Sequence, residues 1–239
     1  MKRFAMLFFI FSFSLLYSQD KFGAYAGIGY GGTFTSSAGI DDYVSAYNSQ
    51  RSAILTKNME APSMFKGLSF YTGMFASNLL LELGIFNTYG TMTSEADPAK
   101  ITPGTISKRE IELAYSAFYM ALGWVMGDDM LRVGPYLELP IASLNYETTT
   151  QYGKKSDDKI DTYLGMSPGV VLVIGNPAAT GAFGTIRVTY TFGLGNPDWG
   201  SLYYATQTKI DGVLVPTGAK GAFGGFGVRA TLSASIGCL

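Results

Sequence analysis

From Phe226 to Gly237 the chain alternates. Phe226, Val228, Ala230, Leu232, Ala234 and Ile236 take one parity, and Gly227, Arg229, Thr231, Ser233, Ser235 and Gly237 the other. A side-chain period of two requires an extended strand with one apolar face and one polar face. Similar stretches recur at about 22–34, 65–77, 79–91, 107–125, 131–147, 162–175 and 182–195, which makes eight in all. A sheet built from them must hide one face from water. A soluble sandwich turns the apolar parity inward, whereas a barrel in a bilayer turns it out toward lipid.

The charges favour the second sense. Glu82, Glu112, Glu138, Arg132, Arg187 and Arg229 all read as lying on the polar parity of their strands. A charge at the lipid-facing midplane would cost roughly 2–4 kcal/mol. In the fourth stretch this reading sets Ile111, Leu113, Tyr115 and Tyr119 outward against Glu110, Glu112, Ala114 and Ser116. Its lower half then carries Phe118, Met120, Leu122 and Trp124 on the inward parity, which predicts a register shift or an apolar interior floor. Pro135, Pro140 and Pro168 fall inside strands and, lacking an N–H, predict bulges or strand ends.

The connections supply direction. They run long (about 35–64), very short (near Asn78), long (about 92–106), short (127–130), long (about 148–161), short (176–181) and long (about 196–221). Outer-membrane barrels pair short periplasmic turns with longer extracellular loops, and an even strand count lets the first and last strands close the ring. The expected fold class is all-β: an eight-stranded antiparallel up-and-down transmembrane β-barrel with short periplasmic turns and long extracellular loops. The expected barrel domain covers residues 19–239.

The N-terminus reads as an export signal over residues 1–18, with Lys2 and Arg3, an apolar run over 4–16, then Tyr17-Ser18-Gln19. The run is too short to span a bilayer as a helix, and nothing later approaches the roughly 20 apolar residues that a spanning helix needs. Charged residues make up 15 % of the chain, against about 25 % in soluble domains, while Gly reaches 30 residues and aromatics 14 %. Losing Lys2 and Arg3 takes the formal charge from −1 to −3, which argues against a nucleic-acid partner. The single cysteine, Cys238, forms no intrachain disulfide.

These features together resemble the small eight-stranded outer-membrane barrels of the OmpA-domain and OmpX type, over about residues 22–237. Such barrels commonly end in an aromatic residue, and this sequence departs from that pattern with Ile236-Gly237-Cys238-Leu239. The resemblance implies outer-membrane localisation, contact with membrane lipid, and a monomeric barrel without a cofactor.

Eight strands enclose a space that side chains just fill. Glu82, Glu112, Glu138, Arg132, Arg187 and Arg229 are therefore expected to form a charge network inside, with Tyr25, Tyr71 and Tyr136 completing its hydrogen bonds. A structural plug is the first expectation, and a gated polar pathway the alternative. Tyr30, Tyr89 and Tyr146, with Phe34, are expected at the outer membrane interface, and Trp124 and Phe22 at the periplasmic one. Ile40, Tyr43, Val44, Tyr47, Ile54 and Leu55 recur at about a helical period, with Asp41 and Asp42 suited to a first helical turn. A helix is expected there, packed across the mouth, with binding of something outside as the alternative. The last loop reads as a hairpin extending the wall, turning at Asp211-Gly212, with Trp199, Tyr203 and Tyr204 as candidate contacts for a ligand or surface.

Two motifs mislead. Gly27, Gly29 and Gly32 match G-x-G-x-x-G, but Thr33-Phe34-Thr35-Ser36 follows where a helix must open. Gly165 to Gly169 match G-x-S-x-G, but Pro168 lacks the N–H that the oxyanion hole needs. The chain has no histidine, which removes Ser-His and Cys-His catalysis and imidazole metal ligands. The reading is a non-catalytic outer-membrane barrel with a structural or loop-mediated binding role. The alternatives are a narrow pore for small or hydrophobic solutes, similar to OmpW-type barrels, and a soluble periplasmic lipocalin-like barrel.

Overall fold

The computed structural model describes residues 22–238. The export signal expected over 1–18 lies outside the described residues. Eight long strands follow in order: β1 (Phe22–Ser36), β2 (Phe65–Ala76), β3 (Leu79–Ala96), β4 (Lys108–Trp124), β5 (Leu131–Thr150), β6 (Gly153–Ile174), β7 (Gly181–Gly193) and β8 (Gly224–Cys238). Each pairs antiparallel with its neighbour in sequence, and β1 pairs with β8 from Phe22↔Cys238 to Ser36↔Gly224. The ring is closed, so no long edge is left unpaired.

The apolar parity points out. Leu232 is 64 % exposed and Ile186 38 %, while Arg187 is 1 % exposed. On β5 the outward positions Leu131, Val133, Pro135, Leu137, Leu139 and Ile141 form an apolar run, followed by Ser143, Asn145, Glu147 and Thr149. Leu131–Ile141 matches the roughly 9–11 residues that a tilted strand needs to cross a bilayer. The switch lies along one row of the sheet. Ile85, Phe118, Ile141 and Leu164 are cross-strand neighbours, and so, one outward step along, are Asn87, Ser116, Ser143 and Thr162.

That row corrects the sequence reading of β4. Phe118, Met120, Leu122 and Trp124 face outward, while Ile111, Leu113, Tyr115 and Tyr119 are buried inside, with no shift of register. The cause is physical. Below the row the outer face meets the apolar belt; above it the outer face meets water and the inner face packs on loops, so the polar parity changes sides within one strand.

The wall is uneven. β5 and β6 run 20 and 22 residues, whereas β2 and β7 run 12 and 13. The connection expected as a loop over about 148–161 is instead strand, turned at Gln151-Tyr152 with Thr150 paired to Gly153. No bulge forms at the prolines. Pairing lapses at Leu139-Pro140 and at Ser167-Pro168 and resumes in the same register. Ser167 and Thr191 share a side-chain hydrogen bond of 2.9 Å across the second gap. Bulges sit higher, at Leu144/Asn145 and Thr148/Thr149.

On the low side, the two longest connections fold over the mouth. One carries helix α1 (Ala38–Arg51), capped by the Ser37 side chain, which accepts from the Ile40 N–H at 3.2 Å. The other carries the short helix α2 (Gly200–Ala205). Asp211 and Gly212 turn with φ of 49° and 83°, closed by paired Ile210–Val213 hydrogen bonds of 2.9 Å. The tight turn forms as expected, but the loop does not extend the wall; it bends inward as part of a cap.

Candidate functional site: the filled lumen and its cap

The belt aims every second side chain of eight strands at a common axis, and these side chains fill it. Arg187 Nη2 donates to Glu82 Oε1 at 2.7 Å, with both side chains essentially without exposure. The Tyr25 hydroxyl donates to the same oxygen at 3.0 Å and Tyr136 to Glu82 Oε2 at 2.6 Å. Arg187 Nη1 also donates to the Tyr119 hydroxyl at 3.3 Å, and its guanidinium lies 4.4 Å from the Tyr71 ring centre. Both oxygens of Glu82 are thus bonded, which is what a buried carboxylate requires.

A second pair lies beside it. Arg229 grips Glu138 with Nη1 to Oε1 at 3.0 Å and Nη2 to Oε2 at 3.5 Å, a two-point contact with geometric specificity. The Arg229 guanidinium stands 4.8 Å from the Phe86 ring and 5.2 Å from Tyr119. Tyr71 hydrogen-bonds Thr231 at 2.7 Å and also Ser233. A Cβ on Gly84 would stand 2.6 Å from the Tyr119 hydroxyl, so glycine there makes room for the ring at the centre.

The expected six-member network therefore divides. Glu82, Arg187, Glu138 and Arg229 come together at the centre. Arg132 points inward but sits near the short-turn end, where Nη2 meets Asp129 at 2.8 Å. Glu112 is not inside; it is exposed on the outer wall above the belt, cross-strand from Glu147. Its misplacement follows from the reversed parity of β4. Tyr119 is the central residue that the reading missed. The signal was present in Phe118, Met120, Leu122 and Trp124, whose apolar run matches the outward runs of the neighbouring strands.

Both ends are stoppered. At the short-turn end, residues 176–180 tuck under β1 and β8, with the Gly237 N–H donating to Thr180 at 3.1 Å. Asp128 in the turn before β5 accepts from the Met130 and Leu131 N–H groups at 2.8 Å, which holds its carboxyl below the usual range. At the other end Phe223 packs on Phe65, Tyr115 and Trp199 at centroid distances of 5.6, 5.1 and 6.3 Å. The void left between Gly31, Phe86, Tyr115, Glu138, Arg187 and Arg229 measures about 20 Å³, enough for about one water.

The aromatic expectations also divide. Tyr30, Tyr89 and Trp124 are exposed on the outer face. Tyr146 is not at the interface: it points into the barrel, its hydroxyl donating to the Ser201 carbonyl at 3.3 Å beneath α2. Trp199 and Tyr203 are not free loop contacts. Trp199 is fully buried and donates to the Gly221 carbonyl at 3.1 Å, and Tyr203 lies edge-on to Tyr43 at 5.2 Å. Burial pushes the Tyr203 hydroxyl up to about 12. Tyr204 alone of the three is exposed. The low wall explains these corrections, because apolar residues of its loops find shelter only by folding over the mouth.

The molecule is a closed eight-stranded β-barrel. Among solved structures it is similar to Neisserial surface protein A, with a TM-score of 0.44 and 10 % identity, over 89 % of this chain and 96 % of that one. It is also similar to Ail of Yersinia pestis in complex with the heparin analogue sucrose octasulfate (0.44, 9 %, over 90 % and 99 %). A third is the outer membrane protease OmpT from Escherichia coli (0.42, 8 %, over 92 % and 98 %). No protein-family model matches the chain, and no curated protein matches it.

Proposed function

We propose that this protein is an integral outer-membrane barrel that acts through its capped, long-loop end and does not conduct solutes through its lumen. The observation that carries this reading is the filled interior, where two ion pairs and a cluster of tyrosines leave a void of about 20 Å³. The apolar belt supports membrane residence, since a soluble lipocalin-like barrel would turn Leu232 and Ile186 inward. The long connections gathered at the capped end support an outward orientation for that end, since outer-membrane barrels carry their longer loops outside.

On the cap, an open groove of about 570 Å³ runs between α1 and residues 209–220, edged by Asp42, Lys209, Asp211 and Lys220. Its mixed charges suit a polar ligand or surface. Recordings from purified protein in a planar bilayer test the reading. A silent bilayer is expected. Steady conductance that disappears in Arg187→Met or Glu138→Gln would establish the narrow-pore alternative instead.

A further inference from the structure

On the inner face of the tall wall, beneath α1, lies a positive charge without a counter-charge. Arg109 is 8 % exposed, and its Nε and Nη1 are both enclosed without an acceptor. Among the described residues no carboxylate comes within ion-pair distance of it. Strand register sets Arg109 between Ser94 of β3 and Thr150 of β5. Tyr47 of α1 bonds the Ser94 hydroxyl at 3.1 Å and so fastens the helix over this spot. One turn earlier on the same buried face, the Tyr43 hydroxyl is enclosed, with Thr206 beside it but no bond of good geometry. Thr148, two residues from Thr150 along the inner face of β5, has an unpartnered hydroxyl as well.

A second guanidinium adds to the imbalance. Arg51, in the last turn of α1, donates to the Thr206 carbonyl at 2.8 Å and the Gln207 carbonyl at 3.2 Å, and to no carboxylate. Burial holds it below its ordinary range, and the like charge of Arg109 acts in the same direction.

Buried charges persist when paired, and each enclosed donor without an acceptor calls for a reason. Every unpartnered group here can donate. Water would satisfy the N–H and O–H groups but leave the Arg109 charge uncompensated, whereas an anion does both. A small inorganic anion is the simplest occupant that supplies both the negative charge and the acceptor oxygens or halide the guanidinium lacks. We propose that the cap holds one small inorganic anion against the Arg109 guanidinium, beneath the Tyr43–Tyr47 face of α1. The anion would act as a structural pin joining the cap to the tall wall.

The test uses the folded barrel in detergent, in a Trp124→Phe background so that Trp199 alone reports on the cap. Sodium gluconate, a bulky and weakly coordinating anion, is exchanged for chloride at constant ionic strength. Chloride at about 100 times its dissociation constant should shift the docked-to-undocked ratio of the cap about 100-fold, read from Trp199 emission on heating. Arg109→Met should show no chloride response, and Tyr43→Phe a weaker one. Crystals grown with bromide should give an anomalous peak within hydrogen-bond distance of Arg109. Equal chloride responses in the parent and Arg109→Met overturn the proposal, as does an absent response. Should Arg109→Met fail to fold, the bromide map decides, and no peak at Arg109 refutes the site.

Discussion

Replacing Glu82 with Gln removes the negative charge at the barrel centre and leaves its shape. Arg187 then keeps a full charge at 1 % exposure, with only the Tyr119 hydroxyl and the Tyr71 and Tyr136 rings around it. Gln offers one acceptor oxygen where Glu82 now receives Arg187, Tyr25 and Tyr136. Breaking a buried pair in this way costs about 3–5 kcal/mol. At about 1.4 kcal/mol per tenfold, the folded-to-unfolded ratio falls by roughly two to three and a half orders of magnitude. Denaturant unfolding in lipid vesicles, followed by the mobility difference between folded and unfolded barrel, gives the number. Glu82→Gln combined with Arg187→Met removes both charges and should recover much of the loss, which a double-mutant cycle reads as coupling. The contrast is Lys154→Met, which breaks an exposed, solvent-screened pair 3.1 Å from Glu147 and should leave the unfolding midpoint essentially where it was. A cost for Glu82→Gln below about 1 kcal/mol would mean that Arg187 is solvated, and the filled-lumen argument would fail with it.

Leu137→Arg places a charge near the middle of the belt and should destabilise the barrel in vesicles by about 2–4 kcal/mol, whereas Asn145→Arg, above the switch row, should be near neutral. Gly39→Ala should loosen the cap and leave the barrel intact, because a Cβ there would stand 2.0 Å from Trp199 Nε1; red-shifted Trp199 emission with unchanged gel mobility checks it. The cap should also open in alkali. The Tyr203 hydroxyl is raised in the folded state to about 12 from an ordinary phenol value of about 10, so its share of docking is full below pH ~10 and is lost as pH rises through 12. Phenolate absorbance and Trp199 emission should change together in that window, and loss of that coupled change in the parent, or its survival in Tyr203→Phe, would contradict it.

How much of this was legible depends on what each residue faces. Alternation located all eight strands, and the belt charges Glu82, Glu138, Arg187 and Arg229 read correctly because lipid leaves no second choice there. β4 misled because it crosses out of the membrane partway: Glu112 and Phe118 both face outward, one into water and one into the belt. Nothing in β4 alone marks that boundary, but the register row Asn87, Ser116, Ser143 and Thr162 does. Residues 148–161 read as a loop because strand there has water on its outer side and polar hydroxyls within, so no face is clearly apolar. Trp199, Tyr203 and Tyr146 look like exposed aromatics in sequence. Only the unequal strand lengths, which bring two loops down over the mouth, show that they are buried.

A thiol-accessibility scan along β5, in a Cys238→Ser background in lipid vesicles, bears most directly on the sense of the sheet. Leu139→Cys and Ile141→Cys should be untouched by charged maleimides and, once labelled with a neutral bimane, should be quenched by brominated lipid. Asn145→Cys and Glu147→Cys should react with aqueous maleimide, and Ala142→Cys, facing the packed interior, should respond to neither. Rapid aqueous labelling at position 142 together with protection at 139 and 141 from lipid quenchers would turn the barrel inside out and end this account.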